Sequence, residues 1–225
     1  MIKELINTYF ARHYGLQRAS SIDDVSTNEP RFDLLDKTPI IFPFGSGYAS
    51  FANASNDDIH ILLYEKYIDG FRGTHFETGR KRCDFIIYDT KSSFVALNEI
   101  TSTNKGSEGL KKPITKNDKN TIIFEGGKFE KAEKQLLESL KTLRDVDEIK
   151  IHLDSQSKRI CLCSYKLYTD DTLNVIGNPV SAFNRNQTVI ERETGENGII
   201  ISCPEIESLG FEYRRISHNY SFKIN

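Results

Sequence analysis

Two apolar runs separated by a short polar break constrain the fold of this chain more than any other feature. Residues 82–89 read Arg-Cys-Asp-Phe-Ile-Ile-Tyr-Asp and residues 94–101 read Phe-Val-Ala-Leu-Asn-Glu-Ile-Thr, with Thr90, Lys91, Ser92 and Ser93 between them. Aromatic and β-branched runs flanking such a break predict a β-hairpin. Closing the loop with Asp89 opposite Phe94 sets Tyr88 against Val95, Ile86 against Leu97 and Asp84 against Glu99. Side chains alternate along a strand, so these pairs share one face. Carboxylates directly opposite each other repel and normally weaken a sheet. A cation, a raised pKa or a nearby basic group relieves that repulsion. The Asp84–Glu99 pair is therefore the leading candidate site.

The elements around the hairpin are read from periodicity. Residues 1–14 form an amphipathic pattern with Ile2, Leu5, Ile6, Tyr9, Phe10 and Tyr14 near one stripe, which predicts a helix. Residues 15–39 are polar and irregular, and Ile40 to Phe44 reads as a short strand closed by Gly45-Ser46-Gly47. A helix capped by Asn56 or Asp57 is expected over 57–69, packing through Ile59, Leu62, Leu63, Lys66 and Tyr67. Residues 102–120 read as a long lysine-rich loop, and Ile122 to Phe124 as a short strand. Residues 128–144 give the clearest helix, with Phe129, Ala132, Leu136, Leu140 and Leu143 at helical spacing. Ile149 to Leu153 and Arg159 to Leu167 then read as strands joined in a hairpin at 154–158. Strand-like runs at 198–203, 211–216 and 220–224 add strands or a small lobe at the C-terminal end.

At 225 residues the chain suits a single domain, 1–225, with a core over 57–167 and a C-terminal extension over 168–225. The fold class expected is α/β, a mixed central β-sheet flanked by helices with additional C-terminal strands. A formal net charge of -2 gives no overall basic field toward nucleic acid, although 30 Lys and Arg leave room for a local patch. No stretch approaches the roughly 18 apolar residues of a membrane span. Charge in Met1-Ile-Lys-Glu-Leu-Ile does not fit a signal peptide, so a cytoplasmic protein without a membrane partner is expected. The four cysteines, Cys83, Cys161, Cys163 and Cys203, lack zinc-site spacing and read as buried apolar residues.

The order helix, strand pair, long helix and strand, coupled to Asp84 and Glu99, resembles the PD-(D/E)xK superfamily, the restriction-endonuclease-like nucleases. Cys83-Asp84 stands where Pro-Asp is usual there, and Glu99-Ile100-Thr101 where Glu-x-Lys is usual. The resemblance covers about residues 57–167 and implies the αβββαβ core of that family. It implies a Mg²⁺ or Mn²⁺ site on Asp84 and Glu99, with Glu65 of the preceding helix assisting. Gln135 would hold water or phosphate, and Lys105, Arg82 or Lys131 would replace the lysine missing at Thr101. The activity implied is metal-dependent hydrolysis of DNA phosphodiester bonds, with Arg80, Arg82 and Lys131 contacting DNA. Many such nucleases act as homodimers because two strands need two sites. Thr101 favours the alternative, a catalytically inactive relative that binds nucleic acid or a protein partner. An unrelated α/β protein would keep Asp84 and Glu99 apart, or paired to surface lysines, with no cleft beside helix 128–144.

Overall fold

The computed structural model describes residues 1–16, 21–35, 41–71, 74, 82–104, 112–116, 122–125, 127–168 and 196–225. The expected positions Arg80 and Lys105, with much of the lysine-rich stretch, lie outside the described residues. In chain order the strands are β1 (Asp24–Thr27), β2 (Arg31–Leu34), β3 (Phe42–Pro43), β4 (Ala49–Ala52), β5 (Ile59–Leu63), β6 (Phe85–Asp89), β7 (Phe94–Asn104), β8 (Lys112–Lys116), β9 (Ile122–Glu125), β10 (Lys158–Tyr168), β11 (Ile199–Ile200), β12 (Glu212–Ser217) and β13 (Ser221–Lys223).

The protein is mixed α/β. A seven-stranded sheet in the order β1-β5-β6-β7-β10-β12-β11 forms the middle layer. The β7–β10 and β10–β12 pairs are parallel, and the other pairs of this sheet are antiparallel. Parallel neighbours need a crossover. The long helix Lys128–Arg144 and the helix Asp147–Asp154 lie in the one between β7 and β10, and the short helix Pro204–Ser208 in the one between β10 and β12. A smaller sheet, β13-β4-β2-β3, and a two-stranded pair, β8-β9, complete the strands.

Two apolar clusters separate the layers. One joins the N-terminal helix, through Ile2, Ile6 and Phe10, to the long helix, through Leu136 and Leu140, over Ile86, Leu97 and Cys161 of the main sheet. The other joins Phe32 and Phe51 of the smaller sheet to Ile61, Phe85, Ala96 and Leu162 of the main sheet. The helices thus cover one face of the main sheet and the smaller sheet covers the other. Among the described residues no helix is long and apolar enough to cross a membrane.

Several elements differ from the sequence reading. The helix expected over 57–69 is a strand followed by a six-residue helix, Tyr64–Asp69. β5 lies between β1 and β6 with both faces covered, so Ile61, Leu62 and Leu63 are apolar in succession and, with Ile59, mimic a helical stripe. The strand expected at 149–153 is the helix Asp147–Asp154: Ile149 and Leu153, four apart, are fully buried while Ile151 is 70% exposed. No hairpin therefore joins it to β10, which runs parallel to β7 instead. The polar stretch 15–39 contains β1 and β2, and the stretch 102–120 contains the end of β7 and all of β8. At the C-terminal end β11 and β12 join the main sheet and β13 pairs with β4 of the smaller one. The expected helices over 1–14 and 128–144 and the strands at 122–124 and 159–167 are present.

Candidate functional site

The hairpin adopts the register expected of it. Phe85 pairs with Asn98, Ile86 with Leu97, Ile87 with Ala96 and Tyr88 with Val95. Asp84 is the residue before β6, so it stands across from Glu99. Ile86, Tyr88, Val95 and Leu97 belong to the helix-side core, and alternation carries Asp84 and Glu99 to that same face. Both carboxylates are nearly buried, at 5% and 6% exposure.

Neighbouring elements hold Asp84 from several directions. Its carbonyl accepts the N–H groups of Tyr64 and Glu65, at 3.0 and 3.2 Å, which ties it to the start of the helix Tyr64–Asp69. Its carboxylate accepts the N–H of Ile100 at 2.7 Å, a charge-assisted bond to β7. The long helix fastens the two residues before it. Gln135 Nε2 donates to the Arg82 carbonyl at 2.9 Å. The N–H of Cys83 donates to Ser139 Oγ at 2.7 Å, and that hydroxyl donates to the Gln135 carbonyl at 2.8 Å. The Asp84 carboxylate is therefore bound to β7, and the backbone at and before Asp84 to both helices.

These elements enclose a pocket of about 150 Å³. Glu65, Asp84 and Glu99 form an acidic wall, Ile100, Thr101 and Ser102 a strand floor, and Lys128, Lys131 and Gln135 a wall on the long helix. The pocket thus lies between the hairpin and the long helix, and its lining is predominantly polar. It brings together five of the residues singled out from sequence: Glu65, Asp84, Glu99, Lys131 and Gln135. Arg82 is not among the lining residues; its guanidinium pairs with Asp69. Lys134 pairs with Glu130 at 2.6 Å, one turn earlier on the long helix.

Sequence reasoning passed over Lys128, Ser102 and Ser139. Lys128, Lys131 and Gln135 recur at steps of three and four, the spacing of one helical face. That polar stripe beside the leucine stripe was a signal for Lys128. Ser139 carried none, because a serine inside an apolar pattern does not announce which N–H it will accept.

The charges of the carboxylate pair are felt by the thiols beside them. Burial pushes the Cys83 thiol well above its ordinary value; the Ser139 hydrogen bond opposes this, and Glu99 and Asp84 add to it. Burial likewise raises Cys163, with Arg215 opposing and Glu99 and Asp84 again adding. Cys163 is the β10 neighbour of Glu99, and Arg215 the β12 neighbour of Cys163. The Arg215 guanidinium lies 4.6 Å from the centre of the Phe129 ring and 3.9 Å from the Glu133 carboxylate. All four cysteines are free and buried, as expected of apolar residues.

The donor set of the pocket is carboxylate oxygen, with no thiolate or imidazole in the lining. That set suits a hard divalent cation such as Mg²⁺ or Mn²⁺ rather than zinc or copper. Among the described residues no three His, Cys, Asp or Glu side chains are grouped as a ready-made metal cage. Mg²⁺ is commonly held by one or two carboxylates with water and substrate oxygens completing its shell, and Asp84 with Glu99 fits that mode. The chain matches no protein-family model, no curated protein and no solved structure.

Proposed function

We propose that this protein is a divalent-metal-dependent nuclease of the PD-(D/E)xK type, hydrolysing DNA phosphodiester bonds in the pocket between the hairpin and the long helix. The observation that carries the reading is the composition of that pocket: the acidic residues Asp84 and Glu99 of the hairpin and Glu65 of the short helix, with Lys128 and Lys131 of the long helix, line one small space. Acidic residues alone would repel a phosphodiester. Carboxylates facing lysines across about 150 Å³ can hold a cation on one side and a phosphate on the other.

Asp84 and Glu99 would hold the Mg²⁺ or Mn²⁺ ion, with Glu65 at its edge. Bound there, the cation supplies Lewis acidity toward the phosphate and toward water. Lys128 and Lys131 offset the negative charge that develops on the phosphoryl oxygens, work that preorganised cations do well in a site partly closed to solvent. Gln135 is a positioning residue: by binding the Arg82 carbonyl it fixes the approach of the backbone to Asp84. Thr101 stands where the family has lysine, so the positive charge of this site comes from the helix instead. DNA as partner, a cytoplasmic location and action as a homodimer belong to the same reading.

The test is cleavage of plasmid and oligonucleotide DNA in Mg²⁺ or Mn²⁺ by wild type, Asp84→Ala, Glu99→Gln and Lys131→Met. Metal-dependent cleavage abolished by the carboxylate variants and reduced about 10²-fold or more by Lys131→Met is the expected result. Cleavage that survives Asp84→Ala would sink the assignment. Thr101 favours a second reading, an inactive relative that binds nucleic acid. That reading predicts DNA binding without cleavage and no saturable Mn²⁺ binding by calorimetry.

A further inference from the structure

The three parallel strands of the main sheet, β7, β10 and β12, lead to the same edge as the polar pocket. In sheets of this kind ligands bind outside the carboxyl ends of the strands. β7 lines the pocket there with Thr101 and Ser102. The parallel register sets Tyr165 of β10 beside Thr101 and Lys166 beside Ser102. One strand further on, Ser217 stands beside Tyr165, and the N–H of His218 donates to the Tyr165 carbonyl at 2.9 Å. The edge therefore runs from the pocket across Lys166 to His218.

Lysines stand on both sides of the end of β10. Phe129 packs its ring against Tyr165 with 5.1 Å between centres, which sets Lys128, exposed at the start of the long helix, near this strand end. Lys166 turns to the other face, because Tyr165 before it belongs to the helix-side core. Its ammonium lies 4.4 Å from the centre of the Tyr48 ring, a cation–π contact that holds it at the edge. Burial holds the His218 imidazole below its ordinary pKa, the Lys166 charge adds to this and Asp33 opposes it, so the positive charge of this row resides on Lys166. Asp33 itself is fully buried, and its Oδ2 accepts the Gly47 N–H. The opposite edge is different in kind. At the start of β10 and β12, Arg159 pairs with Asp154 at 3.4 Å, Arg214 pairs with Glu212, and Lys158 donates to the carbonyls of Lys223 and Ile224.

We infer that the pocket-side edge is the track of the substrate backbone, and that Lys166 binds a phosphate of the cleaved strand about two or three nucleotides from the scissile one. The inference rests on the nuclease reading of the pocket. Ser102 lies three residues beyond Glu99 on β7, a distance of about 10 Å at about 3.3 Å per residue. The phosphates of one DNA strand advance about 3.4 Å each along the helix axis. A strand whose scissile phosphate lies at Asp84 and Glu99 therefore brings a phosphate about two or three positions on to Ser102 and its neighbour Lys166. Such a contact carries no sequence information; it sets the register of the strand on the protein.

The experiment measures binding of a fluorescein-labelled DNA oligonucleotide by anisotropy over a series of salt concentrations, for wild type, Lys166→Met, Lys166→Arg and Lys150→Met. Lys150 is exposed on the helix Asp147–Asp154, which leads into the start of β10. Lys166→Met should weaken binding about tenfold at about 0.1 M salt and lower the slope of log affinity against log salt by about one. Lys166→Arg should keep the slope, and Lys150→Met should behave as wild type. Replacing one phosphate at a time by an uncharged methylphosphonate locates the contact. The replacement about two or three positions from the cleavage site should weaken binding to wild type and leave Lys166→Met unchanged, a coupling that a loss of folding does not produce. Identical slopes and methylphosphonate profiles for wild type and Lys166→Met, with Asp84-dependent cleavage intact, would overturn the track and leave the nuclease standing. Absence of both DNA binding and cleavage would overturn both.

Discussion

In the proposed metal site, Asp84→Asn should make the metal-free protein more stable while abolishing divalent-ion binding. Opposed residues of an antiparallel pair have Cβ atoms about 5 Å apart. At that separation and an effective dielectric near 20, the Asp84 and Glu99 charges repel by about 3 kcal/mol. Asparagine keeps an oxygen that can accept the Ile100 N–H, now 2.7 Å from Asp84 Oδ2, but a neutral acceptor is weaker by about 1 kcal/mol. Repulsion outweighs the weaker bond, so the variant should gain about 1–2 kcal/mol. For a chain of 225 residues that raises Tm by about 4 °C. A ligand at a hundred times its Kd stabilises the protein that binds it by about 2.7 kcal/mol. Wild type in saturating Mg²⁺ or Mn²⁺ should therefore overtake the variant, which gains nothing. Thermal melts of both proteins, in chelator and in metal, read the inversion directly. A variant less stable than wild type in chelator, or an equal rise of both in metal, would refute the like-charge argument and the metal site together.

Ser139→Ala leaves the buried Cys83 N–H without its acceptor and should cost about 1–3 kcal/mol in urea denaturation, with faster amide exchange at Cys83. Gly198→Ala forces a side chain onto a backbone at φ +66°, where its Cβ would meet the Arg215 carbonyl oxygen at 2.2 Å. The expected loss of 2 kcal/mol or more, read from thermal melts, measures how tightly the C-terminal strands belong to the main sheet. Arg144, then Arg159 and Lys150, hold the Asp154 carboxyl below its ordinary value of 3.8 against the opposing effect of burial. A depressed carboxylate pKa stabilises above the unfolded value and is lost as pH falls through the folded one. Asp154→Asn should therefore lose about 0.5 kcal/mol at neutral pH, a figure reduced for its solvent exposure, and converge with wild type in urea titrations below pH 3.8. The four buried thiols should react slowly with Ellman's reagent in the native protein and fully in guanidinium, and rapid labelling of any one would contradict its burial.

The hairpin was legible because its determinants are local. The four-residue break between Asp89 and Phe94 and the alternation on either side leave one register that keeps Ile86, Tyr88, Val95 and Leu97 on a common apolar face. The same residues fix Asp84 opposite Glu99, so the heart of the site followed from the strand pattern. β5 was not legible for the opposite reason. Helices cover one of its faces and the smaller sheet the other, every second residue no longer needs to be polar, and Ile59 to Leu63 then suits a helix as well as a strand. β1, β2 and β4 are short and carry Asp24, Ser26, Asp33 and Ser50, polar residues that a sheet tolerates only through partners distant in sequence. Asp33, fully buried, accepts the Gly47 N–H at 2.7 Å, a bond that periodicity does not foretell.

In a metal-dependent nuclease the position of a charge can vary where that of a metal ligand cannot. In the nuclease reading, Asp84 and Glu99 must meet a cation at bonding distance, and a one-residue slip of β6 on β7 would turn every side chain of β6 to the other face. The hydrogen bonds that pin Asp84 to Tyr64, Glu65 and Ile100 oppose such a slip. Stabilisation of a phosphate by an ammonium falls only as the inverse of distance, and a lysine stem spans many approaches. The lysine two residues after Glu99 can therefore be exchanged for Thr101 if another element brings positive charge to the same pocket. The long helix does so with Lys128 and Lys131 on the face that also presents Gln135, and its N-terminal end adds the positive pole of the helix dipole. In that reading a motif written along one strand would be divided between a strand and a helix, and its parts would meet only once β7 and the long helix have packed.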